Sequence, residues 1–264
     1  MILKYFFETL KLKNETLFYF GLLCLVGGFI CLVLSKLNPN PILGVSGWIK
    51  PFKFFISTTI MAWTMGYYMQ FLENQYQVSI YNWSMIIFLS IEIILITYQA
   101  SRGRISHFNQ EDSVGRAIFG IMAIAITLFM LHTAYIAVLF FTQVNFQAPA
   151  LLILAIKLSL IITVLFAFEG FAMGALMKHT VGSVDGTEGI PVVNWSKNYG
   201  DLRIAHFFGM HALQVVPLVS VLIARNKRDV LLISIVYFVF VTFTLIQALM
   251  GKPFIKVAKS FLKH

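Results

Sequence analysis

Charge is what this chain has least of. Asp, Glu, Lys and Arg together make 12% of its 264 residues, against about 25% in an average soluble domain. Half the usual supply cannot wet a globular surface, so lipid is expected to cover what charge does not. Cysteine is almost missing too. Cys24 and Cys31 are the only two, seven apart in one apolar run and hence on one helix face. A bridge between them would staple nothing, and neither CxxC nor a zinc spacing is present. Six histidines are too few for the histidine boxes of a membrane desaturase or hydroxylase. The N-terminus, MILKYFFETLKLKNE, lacks the short apolar core and small-residue cleavage site of a secretory signal. With no fixed-period repeat and no low-complexity linker, residues 1–264 read as one domain.

What the chain does have is long apolar runs and a net charge of +9. The basic residues sit between those runs and in the terminal segments. They therefore read as flanks that orient helices and touch anionic lipid; the bilayer is the expected partner, and nucleic acid is not.

Seven runs reach the roughly 20 residues that a bilayer crossing needs: approximately 15–35, 52–72, 80–100, 114–141, 148–177, 203–224 and 229–251. The expected fold class is all-α, a polytopic seven-transmembrane-helix bundle with short interfacial helices at both termini. At the N-terminus, Lys4, Glu8 and Lys11 form a stripe opposite Ile2, Phe6 and Leu10. At the C-terminus, Lys252, Lys256, Lys259 and Lys263 align opposite Phe254, Val257, Phe261 and Leu262. The connections at 36–51, 101–113 and 178–202 are long and fall on the face of the C-terminus, where a mouth is expected. That face also carries the larger share of Lys and Arg, which by the positive-inside rule makes it cytoplasmic. The run Arg225-Asn226-Lys227-Arg228 and the basic N-terminus argue the other way, so orientation stays open.

Ionisable groups inside spans are costly and need a partner or a task. Glu92, Glu169 and His211 each fall about 12 Å below the C-terminal face, and His132 and Lys157 about 13 Å from the opposite one. Two carboxylates and an imidazole from three spans can ligate a divalent cation, exchange a proton, or bond one another as neutral acids. Gln99 nearly eclipses Glu92 on its helix, and Lys53, Ser57 and Thr64 make a stripe on the second span. On the sixth, Arg203, His206, His211 and Gln214 lie within roughly 140° of one another. For the second layer, Lys157 can instead snorkel toward the N-terminal face, and His132 can donate to a backbone carbonyl. Nearer the mouth, His107 and His206, with His211, are candidate metal ligands, although His206 and His211 are five apart and make a poor single-metal pair. Arg102 and Arg104 can hold an anionic head; equally, Asp201 and Glu111 can pair with the arginines, Arg203 included, and merely fix the loops.

Other patterns carry less. Gly170-Phe-Ala-Met-Gly174 fits GxxxG and reads as helix packing. Asn82-Trp-Ser and Asn194-Trp-Ser fit glycosylation sequons that arise often by chance. The seventh run contains no lysine, leaving a retinal Schiff base no anchor.

The stretches WIKPFKF, QASRGRISHFN and NWSKNYGDLRIAHFFGMHALQVVPL, spread over residues 48–218, resemble a family of bacterial multi-pass inner-membrane proteins with no assigned activity. The resemblance implies a bacterial inner membrane and supplies no chemistry. From the residues, the leading expectation is transport or binding of a small solute or ion, proton or metal, in a pocket of Glu92, Gln99, Glu169, His211, Gln214, Lys53, Ser57, Asp201 and Arg203. A membrane-embedded enzyme or redox protein, with a divalent metal or haem on His211 and His132, is the alternative. A seven-helix sensor or accessory subunit comes third.

Overall fold

The computed structural model describes residues 2–110 and 112–255. Glu111 and the tail beyond residue 255 lie outside it, and with them the expected Glu111–arginine pairing and most of the expected C-terminal amphipathic helix. The described chain is mostly helical. Five helices are long and apolar enough to cross a membrane: Glu15–Leu37, Gln75–Ser101, Ser113–Thr142, Ala150–Leu176 and Lys227–Leu249. A sixth is added if Leu202–Met210 and Ala212–Ile223, bent by 50° at His211, count as one span. The expected second span forms a helix, Ile49–Met69, but is not apolar enough to join the count. It carries Lys50 and Lys53 in its first turns and Ser57, Thr58, Thr59 and Thr64 beyond. Packed against helices on several sides, it needs less lipid-compatible surface.

Two compact units divide the chain inside the fourth of these five helices, Ala150–Leu176: Met1–Leu160 and Ile161–His264.

Unit 1 contains α1 (Ile2–Lys13), α2 (Glu15–Leu37), the hairpin β1 (Pro41–Ile42) and β2 (Val45–Ser46), α3 (Ile49–Met69), α4 (Gln75–Ser101) and α5 (Ser113–Thr142). α6 (Ala150–Phe168) begins in it. The expected polar stripe of α1 is present, with Lys4 paired to Glu8 at 3.8 Å. Its apolar face, however, is covered by protein. Leu10 is fully buried, Phe6 lies 5.0 Å from the Tyr67 ring and Phe7 4.8 Å from that of Trp63.

The turn between α1 and α2 is held by a reciprocal amide pair. Asn14 Nδ2 donates to Asn82 Oδ1 at 3.2 Å, and Asn82 Nδ2 returns a bond to Asn14 Oδ1 at 3.0 Å. Asn14 also caps α2 by accepting from the Leu17 N–H. Both amides are buried, so the 82–84 sequon serves packing, since a buried amide left alone costs about 1–3 kcal/mol. α2 and α3 approach closely at Gly21, where a Cβ would overlap the Trp63 indole. The indole Nε1–H donates to the Phe18 carbonyl at 3.1 Å. Cys24 and Cys31 are free and buried on this same seam.

Unit 2 contains the end of α6, then α7 (Gly170–Leu176), β3 (Thr180–Val181), β4 (Gly200–Asp201), α8 (Leu202–Met210), α9 (Ala212–Ile223) and α10 (Lys227–Leu249). The two short strands pair antiparallel, Thr180 opposite Asp201 and Val181 opposite Gly200. α10 buries one narrow face, Val230, Ser234, Val241, Thr244 and Ala248, and exposes Ile235, Val236, Val239 and Phe243. A water-soluble surface would not carry such a stripe; a lipid-facing one does.

Candidate functional site

In unit 2 the helical run is irregular at two ionisable residues. α6 ends at Phe168 and α7 begins at Gly170, with Glu169 between them in right-handed helical angles, so that Ala150–Leu176 remains one apolar segment. α8 stops at Met210 and α9 restarts at Ala212, with His211 at the joint. Pro217 contributes to the irregularity at His211, because it has no N–H for the carbonyl four residues earlier and its ring crowds that carbonyl. Backbone groups freed at membrane depth must find other partners. Thr163 Oγ1 supplies one by donating to the Gly209 carbonyl at 3.3 Å. His206 Nδ1 supplies another, bonding the Phe166 carbonyl at 3.0 Å. A carbonyl only accepts, so that nitrogen carries the proton.

The same Nδ1 lies 3.6 Å from Glu169 Oε2. The Glu169 side chain is 6% exposed, and among the described residues neither of its oxygens has a hydrogen-bond partner. A carboxyl in that position is expensive whether ionised or neutral. The ionisable side chain beside it is the His206 imidazole. An acid at a one-residue helix irregularity and a base on α8 are thus brought together.

The expected site residues are divided between the two units. Glu92 and Gln99 do share one face of α4, 4% and 2% exposed, but they belong to unit 1, whereas Glu169 and His211 belong to unit 2. Within unit 2 the imidazole beside Glu169 is that of His206. His211 bonds Gln214 Oε1 at 3.0 Å through Nδ1 and lies 4.4 Å from the Phe207 ring. Ser57 is exposed and Lys53 half-buried.

Asp201 and Arg203 form a structural lock. Arg203 Nε and Nη2 grip Asp201 Oδ1 and Oδ2 at 2.8 and 2.6 Å, and Nη2 also holds the Asn194 carbonyl. Asp201 Oδ2 accepts from the Ser196 N–H as well. At the other long loop, Arg104 is paired with Asp112, and Arg102 bonds the Tyr98 hydroxyl at 2.7 Å. These arginines are engaged in fixing loops.

The two residues of the second layer each lie against aromatic rings. Lys157 Nζ sits 4.9 Å from the Phe146 ring centroid, in the connection toward which snorkelling was expected to carry it. His132 lies edge-on to Tyr81 at 5.2 Å, and Tyr81 in turn bonds Thr133. Among the described residues no three His, Cys, Asp or Glu side chains are grouped for a metal ion, so no such trio gathers around His107, His206 or His211. Of the GxxxG pair, Gly170 meets the His206 ring while Gly174 faces open space.

The loop of unit 2 between β3 and β4 is tied by a pair the sequence reading passed over. Asp185 accepts from the His179 ring at 2.7 Å and from the backbone N–H groups of His179 and Thr180. Burial alone would raise its carboxyl, but the His179 bonds and charge and the Thr180 bond override this and hold it well below the usual carboxylate range. A depressed carboxylate stabilises above its unfolded value of about 3.9, and that stability is lost as pH falls through the lower folded value. Loop docking should therefore survive mild acid near pH 4 and fail only in stronger acid. Asp185→Asn should cost the loop about 1.5–3 kcal/mol at neutral pH, read as faster proteolysis between residues 182 and 199. Equal proteolysis of variant and wild type would remove the assignment.

Compared with protein-family models, curated proteins and solved structures, the chain matches none.

Proposed function

We propose that this chain is a multi-pass protein of a bacterial inner membrane that binds and moves a small ion or solute, with a proton exchanged at Glu169 and His206. In this reading, seven crossings are made by the five apolar helices, α3, and the bent pair α8–α9. α1 lies along the interface. The observation that carries the reading is Glu169, a buried carboxyl without a hydrogen-bond donor, 3.6 Å from an imidazole. No folding advantage explains such a group, because an apolar side chain there would cost less. A site that must take up and release a proton needs both forms to be within reach, and a hydrogen-bond cage around the carboxylate would lock it ionised.

Purified protein in liposomes with an internal pH dye tests this. A pH or solute gradient should drive proton movement that Glu169→Gln abolishes. Wild-type rates in that variant would overturn the reading, as would a Soret band or stoichiometric metal, either of which would favour the membrane-enzyme alternative.

A further inference from the structure

Unit 1 contains a second buried acid that the Glu169 reading does not use. Glu92 is 4% exposed, and its Oε2 has no hydrogen-bond partner among the described residues. The Lys50 ammonium of α3 acts on it electrostatically. Lys50 Nζ lies 3.2 Å from His107 Nδ1, and Ser106 Oγ 3.1 Å from the same nitrogen. Gln99, two turns from Glu92 on the same buried face, holds the loop in place through the Ile105 carbonyl at 3.4 Å. Buried acid, lysine, histidine and loop surface therefore follow one another along one side of α4.

We propose that unit 1 carries a separate proton-binding site, in which Glu92 exchanges its proton with the loop surface by way of Lys50 and His107. In the loading direction, the flexible Lys50 stem turns from His107 toward Glu92, gives one ammonium proton to Oε2 and becomes a neutral amine. The His107 imidazolium restores that proton from Nδ1, and its Nε2 keeps the other until solvent recharges the ring. Only N–H and O–H bonds change, and one unit of charge crosses the path.

The other charged groups near this path are accounted for. α3 adds Lys53, one turn beyond Lys50. The loop adds Arg104 and Asp112, paired with each other. On α5, Arg116 is exposed and bonded to the Gln110 carbonyl, and His132 packs against Tyr81. Lys36, at the end of α2, is exposed.

Infrared spectroscopy of the full chain in lipid films tests the proposal. The carboxylic-acid carbonyl band that disappears in Glu92→Gln belongs to Glu92, and its downshift in heavy water reports proton exchange. In Lys50→Met and His107→Phe that exchange should slow by about tenfold or more, equivalent to about 1.4 kcal/mol of barrier. Lys50→Arg, which keeps a cation but cannot give up its proton, should exchange as slowly as Lys50→Met, and Glu169→Gln should leave the Glu92 band unchanged. Wild-type exchange in both Lys50→Met and His107→Phe would overturn the relay. So would the absence of any band lost in Glu92→Gln. Because the readout belongs to Glu92 alone, a failure here leaves the Glu169 reading standing, and the reverse also holds.

Discussion

Glu169→Met should give a protein that withstands heating better than the wild type and moves no proton. Methionine has nearly the length of glutamate, is flexible enough to fill the same space, and brings no group that needs a hydrogen bond. In the wild type both carboxyl oxygens are buried without a donor and only the His206 ring is near, at 3.6 Å. Removing an unsatisfied buried polar group returns about 1–3 kcal/mol. Loss of a group that transfers a proton lowers rates by about 10²-fold or more. The two effects have opposite signs, which separates a working carboxyl from a structural one. If Glu169→Met lost a kilocalorie or more of stability in detergent melts and kept its flux, the carboxyl would be serving the fold.

Glu92 and Gln99 were legible as a pair because α4 runs unbroken for 27 residues, and an unbroken helix keeps faces in register at 100° per residue. The surroundings of Glu169 and His211 were less legible, because 203–224 reads as one continuous helix and is bent by 50° at His211. Rotation and depth computed across a bend are not conserved, and His206, assigned to the mouth, is the imidazole beside the acid. Pro217 signalled the bend; nothing comparable marks the irregularity at Glu169 except the glycine that follows it.

The membrane-class composition was legible throughout, since mean apolarity does not depend on register. The number of crossings was less so, because the second apolar run mixes lysines, threonines and serine with aromatics, and length alone does not say whether lipid or protein surrounds it. Similarly, the stripe of Lys4, Glu8 and Lys11 located the polar side of α1. It could not say that Trp63 and Tyr67, far along the chain, would cover the other side.

Gly209→Ala should damage the site without touching any ionisable group. A Cβ at this position would overlap the Cβ of Phe166. No rotamer relieves that contact, since the Phe166 Cβ is fixed to its own backbone, so α8 would have to move away from α6. Two bonds span that contact, Thr163 Oγ1 to the Gly209 carbonyl and His206 Nδ1 to the Phe166 carbonyl, at 3.3 and 3.0 Å. A separation of even 1 Å stretches both beyond hydrogen-bond range and withdraws His206 from Glu169. Overpacking of this kind costs about 1–3 kcal/mol, and the flux should fall with it. Gly174→Ala is the matched control: another helical glycine of the same unit, with nothing within 4 Å of its would-be Cβ. There the substitution should stabilise by about 0.5–1 kcal/mol through helix propensity alone. Thermal melts of the two variants should therefore move in opposite directions from the wild type. Equal shifts would mean that α6 and α8 do not meet at Gly209, and the acid–imidazole pair would lose the contact that positions it.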